Sequence, residues 1–107
     1  MKDLHGLMRH IAAVWVCDPS RYPALAGTSE EQRKKFLLNH SILHIDKTKG
    51  KVAAILEDFD HTGRFTPGAD AELKELAIKS FVNVLKLAEE SGVSAQELLA
   101  RAPDYVN

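Results

Sequence analysis

A second cysteine is missing from this chain, so Cys17 can form no disulfide within it. A lone thiol suits a reducing compartment, and its ordinary use is as a small buried apolar residue. There is also no excess of charge: 14 Lys and Arg stand against 15 Asp and Glu, a net charge of −1. A general nucleic-acid binder carries a basic excess or patch, so the balance argues against that class. No apolar run approaches the ~18 residues that a membrane-spanning helix needs. Met1 to Gly6 lacks the basic-then-apolar pattern of a signal peptide, and the expected location is the cytoplasm. Strand-like alternation, repeats and low-complexity tracts are absent. So are a glycine-rich phosphate loop, a Gly-x-Ser-x-Gly elbow and a CxxC pair.

What is present is helical. The 107 residues, 45% hydrophobic and 27% charged, suit one soluble domain over 1–107. Apolar spacing predicts four helices, at about 2–16, 29–60, 69–91 and 94–101. Leu4, Leu7, Met8, Ile11 and Trp15 form the stripe of the first, and Asp18-Pro19 stops it. Pro19 to Gly27 reads as an ordered loop holding Tyr22. Trp15 and Tyr22 beside it can stack on a base or plug the core, plugging being the commoner case. Thr28 with Glu31, and Ser29 with Gln32, both complete a capping box for the second helix. Gly50 in its middle is either a weak point of the helix or a place where another backbone comes close, and its apolar neighbours favour close packing. Gly63 and Gly92 are natural left-handed terminators, Ser94 with Glu97 caps the fourth helix, and Pro103 ends it. A short connector between the two long central helices makes them antiparallel neighbours in an all-α, four-helix bundle.

The second helix carries a polar stripe, His40, His44, Lys47, Lys51 and Asp58, flanked on both sides by apolar residues. Its opposite face, Leu38, Ile42, Ile45, Val52, Leu56 and Phe59, reads as the main core stripe. The stripe is then expected to look into a crevice, where charged groups are costly unless paired or used. His40 and His44, one turn apart, suit either a shared transition metal or two hydrogen-bonded imidazoles. Ser41 after His40 rules out the metalloprotease signature. Glu57, Asp58, Asp60 and His61 form an acidic cluster that suits either a hard cation or ion pairs with Lys47, Lys51 or Arg64. On the third helix Leu73, Leu76, Ala77, Phe81, Val84, Leu85 and Ala88 form the apolar stripe. Glu72, Glu75, Lys79, Asn83, Lys86 and Glu90 form a polar face that reads mostly as solvated. Lys79 and Asn83 can face the same crevice as Lys47 and Lys51, and three converging lysines suit a phosphate.

Two segments carry a family resemblance. HIDKTKGKVAAILEDFDH, with its central glycine, is similar to the first metal-binding helix of the MazG-like, all-α nucleoside triphosphate pyrophosphohydrolase superfamily. ELAIKSFVNVLKLAEESGVSAQELLAR is similar to its second metal-binding helix and the small docking helix that follows. Phe36 through Ala102 resembles that superfamily, about two thirds of the chain. The resemblance implies a MazG-like bundle that assembles through its long helices as a homodimer or homotetramer. It also implies hydrolysis of nucleoside triphosphates to monophosphate and pyrophosphate with magnesium. The family's Glu-Glu-x-x-Glu motif falls here on Lys47, Thr48 and Lys51, and its Glu-x-x-Asp motif on Leu76 and Lys79. The expectation is therefore a divergent relative in which His40, His44, Lys47, Lys51, Lys79 and Asn83 bind a nucleotide or other phosphate. In a variant that keeps the enzyme active, relocated metal ligands come from Glu57, Asp58, Asp60 and His61 together with the two histidines. The alternative is a non-catalytic helical interaction or regulatory module acting through oligomerisation.

Overall fold

The computed structural model describes residues 2–106. Four helices, Leu4–Val14 (α1), Glu30–Thr62 (α2), Ala69–Glu90 (α3) and Ala95–Arg101 (α4), are joined by loops, with 3₁₀ turns at Pro23–Leu25 and Ala102–Tyr105. No strand occurs among the described residues, and no helix of theirs is long and apolar enough to cross a membrane.

Side-chain caps set the helix ends. Asp3 accepts the Gly6 N–H at 2.7 Å, so α1 starts at Leu4 rather than at Lys2. Of the two capping boxes open to α2, the Ser29 box forms. The Ser29 hydroxyl accepts the Gln32 N–H, and the Gln32 carbonyl oxygen accepts the Ser29 N–H at 3.0 Å. Thr28 is diverted, its hydroxyl donating to the Leu25 carbonyl at 2.7 Å. Gly63, at φ 76°, terminates α2 in a backbone conformation costly for any residue with a side chain. Only the Ser94 half of the α4 box forms, because Glu97 turns to Arg101 at 3.8 Å. Pro103 lies inside the final 3₁₀ turn, just beyond Arg101.

Burial is concentrated in two clusters that share α3. Met8 and Ile11 of α1, Leu85 of α3 and Ala95 of α4 make the first, with Leu4, Leu7, Val82, Ala88 and Leu98 around them. Ile55 of α2 with Ala69 and Leu76 of α3 make the second, with Val52 and Leu73. Along the rest of the α2–α3 seam the buried residues are polar: Ser41, Thr48 and Asn83.

This arrangement corrects the predicted core stripe of α2. Ile42, Leu56 and Phe59 are 43%, 49% and 37% exposed, and Leu38, Ile45 and Val52 are only half-buried. The helix turns Ser41, Thr48 and Ile55, at seven-residue intervals, toward α3, as in a coiled-coil seam. The apolar stripe therefore lies on a flank of the seam rather than inside it. On α3, Leu73, Leu76, Leu85 and Ala88 are packed, whereas Ala77, Phe81 and Val84 are exposed. The molecule is correspondingly open. Its radius of gyration is 16.9 Å, against about 13 Å for a compact chain of this length. Its accessible surface is 8003 Å², against ~6,000 Å² for a compact monomer of its mass.

Of the two readings of Gly50, the weak point holds and the close approach does not: a Cβ there would meet nothing within 4 Å, so no backbone approaches it and the glycine only weakens the helix. Gly50→Ala is expected to raise the unfolding free energy by about 1 kcal/mol, read as a higher urea midpoint with unchanged slope. An unchanged or lower midpoint would show that something covers Gly50 in solution.

Candidate functional site

A crevice of about 260 Å³ opens where the loop after α1 crosses α2 and α3. Its walls come from Trp15, Cys17, Arg21 and Tyr22 of the loop, His40 and His44 of α2, and Asn83, Lys86 and Glu90 of α3. The loop is held by local geometry. The Asp18 carboxylate accepts the Ser20 and Arg21 N–H groups at 3.0 and 3.1 Å, and the Tyr22 N–H donates to the Asp18 carbonyl at 2.8 Å. A hydrogen bond from the Ser20 hydroxyl and those backbone donors hold the Asp18 carboxyl below its ordinary range. The Arg33 guanidinium, in the first turn of α2, donates to the Cys17 carbonyl at 2.7 Å and ties the loop to that helix.

This anchoring brings Tyr22 against α2. Its hydroxyl lies 3.1 Å from His40 Nε2, and its ring meets the imidazole edge-on at 4.9 Å. Phe36 stacks near-parallel to the His40 ring, with centroids 6.0 Å apart. His44 Nε2 lies 3.1 Å from the same His40 Nε2. Two nitrogens at that distance share one proton or repel, so at most one facing Nε2 carries hydrogen. Burial, and secondly the His44 charge, push the His40 pKa below its ordinary value.

On α3 the Lys86 ammonium reaches Glu90 at 2.8 Å and Glu89 at 3.2 Å. Burial alone would lower its pKa, but the hydrogen bonds to Glu90 and Glu89 outweigh that and raise it. The Cys17 thiol lines the same crevice, half-buried, and is pushed up by burial while Lys86 pulls it down. The floor is the polar seam. Asn83 Nδ2 donates to Thr48 Oγ1 at 3.0 Å, and Thr48 Oγ1 donates to the His44 carbonyl at 3.0 Å.

Of the expected phosphate-binding residues, the crevice gathers His40, His44 and Asn83. Lys47, Lys51 and Lys79 are exposed and do not line it. Glu57, Asp58, Asp60 and His61 are exposed at the far end of α2, where His61 lies 3.7 Å from Glu57. Trp15 and Tyr22 are crevice walls rather than core plugs. The polar face of α3 is only partly solvated. Asn83 is buried, and Lys86 and Glu90 keep 12% and 13% of their side chains exposed. The sequence pattern marked Lys86 and Glu90 merely as an i, i+4 pair. What buries them is a loop more than sixty residues earlier, beyond the reach of periodicity.

Among the described residues, no three His, Cys, Asp or Glu side chains gather around a point that a metal ion could occupy. The magnesium implied by the resemblance does not fit the positions its motifs reach. Thr48 is spent on Asn83, Leu76 is buried in the second apolar cluster, and Lys47, Lys51 and Lys79 carry ammoniums. Magnesium takes oxygen ligands, and cations repel it. No family model matches the chain, and neither a curated protein nor a solved structure shows significant similarity to it.

Proposed function

We propose that the protein is a divergent MazG-like helical module that binds a nucleotide, or a similar planar phosphate ester, without the family's magnesium chemistry. The observation that carries this reading is the crevice itself. It combines aromatic walls at Trp15 and Tyr22, ring nitrogens at His40 and His44, the Arg21 guanidinium and the Lys86–Glu90 ion pair. A concave, mostly apolar site with a few convergent polar groups is the usual form of a small-molecule site. Helical periodicity puts Lys47 and Lys51 on the same side of α2 as the two histidines, and Lys79 one turn before Asn83 on α3. A phosphate tail leaving the crevice along that side meets these three ammoniums in turn. In this reading α2 and α3 are the two long central helices of the family's bundle and run antiparallel. The bonding of Asn83 to Thr48, and the clustering of Leu76 with Ile55, support that direction.

The test is thermal unfolding with nucleoside mono- and triphosphates, each with magnesium and with a chelator. Binding to the folded state at a hundred times Kd stabilises it by about 2.7 kcal/mol. The expected result is a raised midpoint that survives the chelator and is lost in Tyr22→Ala. No shift with any nucleotide, or a shift only with magnesium, would overturn the reading.

A second reading, a module acting through self-association, is favoured by a separate observation. The chain exposes about 2,000 Å² more than a compact monomer of its mass. Among the exposed apolar side chains, Ile42 and Leu56 of α2 and Phe81 and Val84 of α3 lie on the two long helices and outside the crevice. A standard interface takes about 800 Å² from each partner, so a second copy can cover them. A net charge of −1 opposes such pairing little. The two readings are compatible, because none of these four side chains lines the crevice.

A further inference from the structure

We propose that His40 and His44 form a binding site for a borderline divalent transition metal such as zinc or nickel, with the Tyr22 hydroxyl beside them. This site shares His40, His44 and Tyr22 with the nucleotide reading but does not rest on it, because the metal alone is the probe.

The geometry comes first. The two imidazoles sit one turn apart on α2, their rings edge-on at 4.6 Å and their Nε2 atoms 3.1 Å apart. Nitrogens bound tetrahedrally to one metal, at 2.0–2.1 Å each, lie about 3.3–3.4 Å apart. The observed separation is therefore within a few tenths of an ångström of that between two nitrogens sharing one metal. His40 is held in place for this by the Phe36 ring on one face and the Tyr22 edge on another. The Tyr22 hydroxyl, 3.1 Å from His40 Nε2, is an oxygen placed next to the same point. Neither imidazole has a carboxylate partner competing for that nitrogen. His40 Nε2 contacts only His44 and Tyr22, and the one histidine–carboxylate pair among the described residues is His61 with Glu57.

Chemistry selects the metal. Neutral imidazole suits zinc, copper and nickel, whereas magnesium and calcium want oxygen. Two protein nitrogens and a phenol leave coordination positions open, and the crevice has room for several waters at about 30 Å³ each. An open position is also where an anionic ligand in the crevice can add an oxygen.

The experiment is calorimetric titration of zinc chloride, and separately nickel chloride, into the full chain after treatment with chelator. One metal per chain is expected, with no heat from magnesium chloride. Removing a group that only supports a metal ligand costs roughly 10–100-fold in affinity, so His40→Gln and His44→Gln should each cost at least that. Tyr22→Phe should weaken binding less than either. The copper-loaded protein should show two nitrogen ligands by electron paramagnetic resonance, falling to one in His44→Gln. His44 is exposed, so that variant keeps the fold even where His40→Gln does not. Absence of one-to-one binding would overturn the proposal. So would undiminished binding in the His40→Gln, His44→Gln pair, which would assign the metal to His5, His10 or His61. The nucleotide test run in chelator is untouched by either result, so the two ideas fail separately.

Discussion

Lys86→Met is expected to lower the unfolding free energy by about 3 kcal/mol at neutral pH, as breaking a buried ion pair does. Lys86 and Glu90 are nearly as enclosed as core residues, and their charged atoms lie 2.8 Å apart. Methionine fills the space of the lysine stem but leaves Glu90 with no cation. The wild-type contribution has a definite pH window. Lys86 has its pKa raised above the ordinary lysine value, so its stabilisation is complete below that value and is lost as pH rises through the folded pKa. The neutral range therefore reads the full effect. Adding Glu90→Leu to Lys86→Met should recover most of the loss, since an apolar pair replaces a buried ionic one at little cost. Urea unfolding at neutral pH reads both variants. A loss below about 1 kcal/mol would show that the pair behaves as an exposed one.

Leu56→Glu with Phe81→Glu is expected to convert a dimer into a folded monomer of 11.9 kDa. Both side chains are about half exposed, 49% and 51%, line no part of the crevice and are members of neither buried cluster. The substitutions therefore leave the fold of one chain unaltered while placing four carboxylates in one paired interface. Light scattering after size exclusion should give twice the chain mass for the wild type and the chain mass for the variant, with equal helical circular dichroism. A wild type that is monomeric at high micromolar concentration would remove self-association as the explanation of the open surface.

The helices were legible in the sequence because their signals are local. Ser29 with Gln32, Gly63 and Ser94 act within one turn of themselves, and each cap lies where its residue type predicts. The buried face of α2 was not legible. Apolar periodicity finds Leu38, Ile42, Leu56 and Phe59, but the helix presents Ser41, Thr48 and Ile55 to α3. Small polar residues let two helices approach closely, and Thr48 could be recognised as a seam residue only once Asn83 was known to face it. The trace it leaves is the seven-residue spacing Ser41, Thr48, Ile55, matched on α3 by Leu76 and Asn83. The candidate site divides similarly. His40 and His44 stood out from one turn of one helix. Their companions Tyr22, Lys86 and Glu90 arrive through the loop and α3, contacts that no single-helix pattern contains.

The placement of the two apolar clusters has a consequence for how the molecule opens. The first holds α1, α3 and α4 together, and the second fastens only the later half of α2 to α3. The earlier half, which carries both imidazoles, belongs to neither. It is moored by the Tyr22 hydroxyl and the Arg33 tether, and by the Thr48–Asn83 bond just past its end. Segments with few buried apolar contacts lie at the low end of a protein's local stabilities. A guest seated between Tyr22, the imidazoles and Lys86 would act there as the missing third core, welding that half-helix to the rest of the chain.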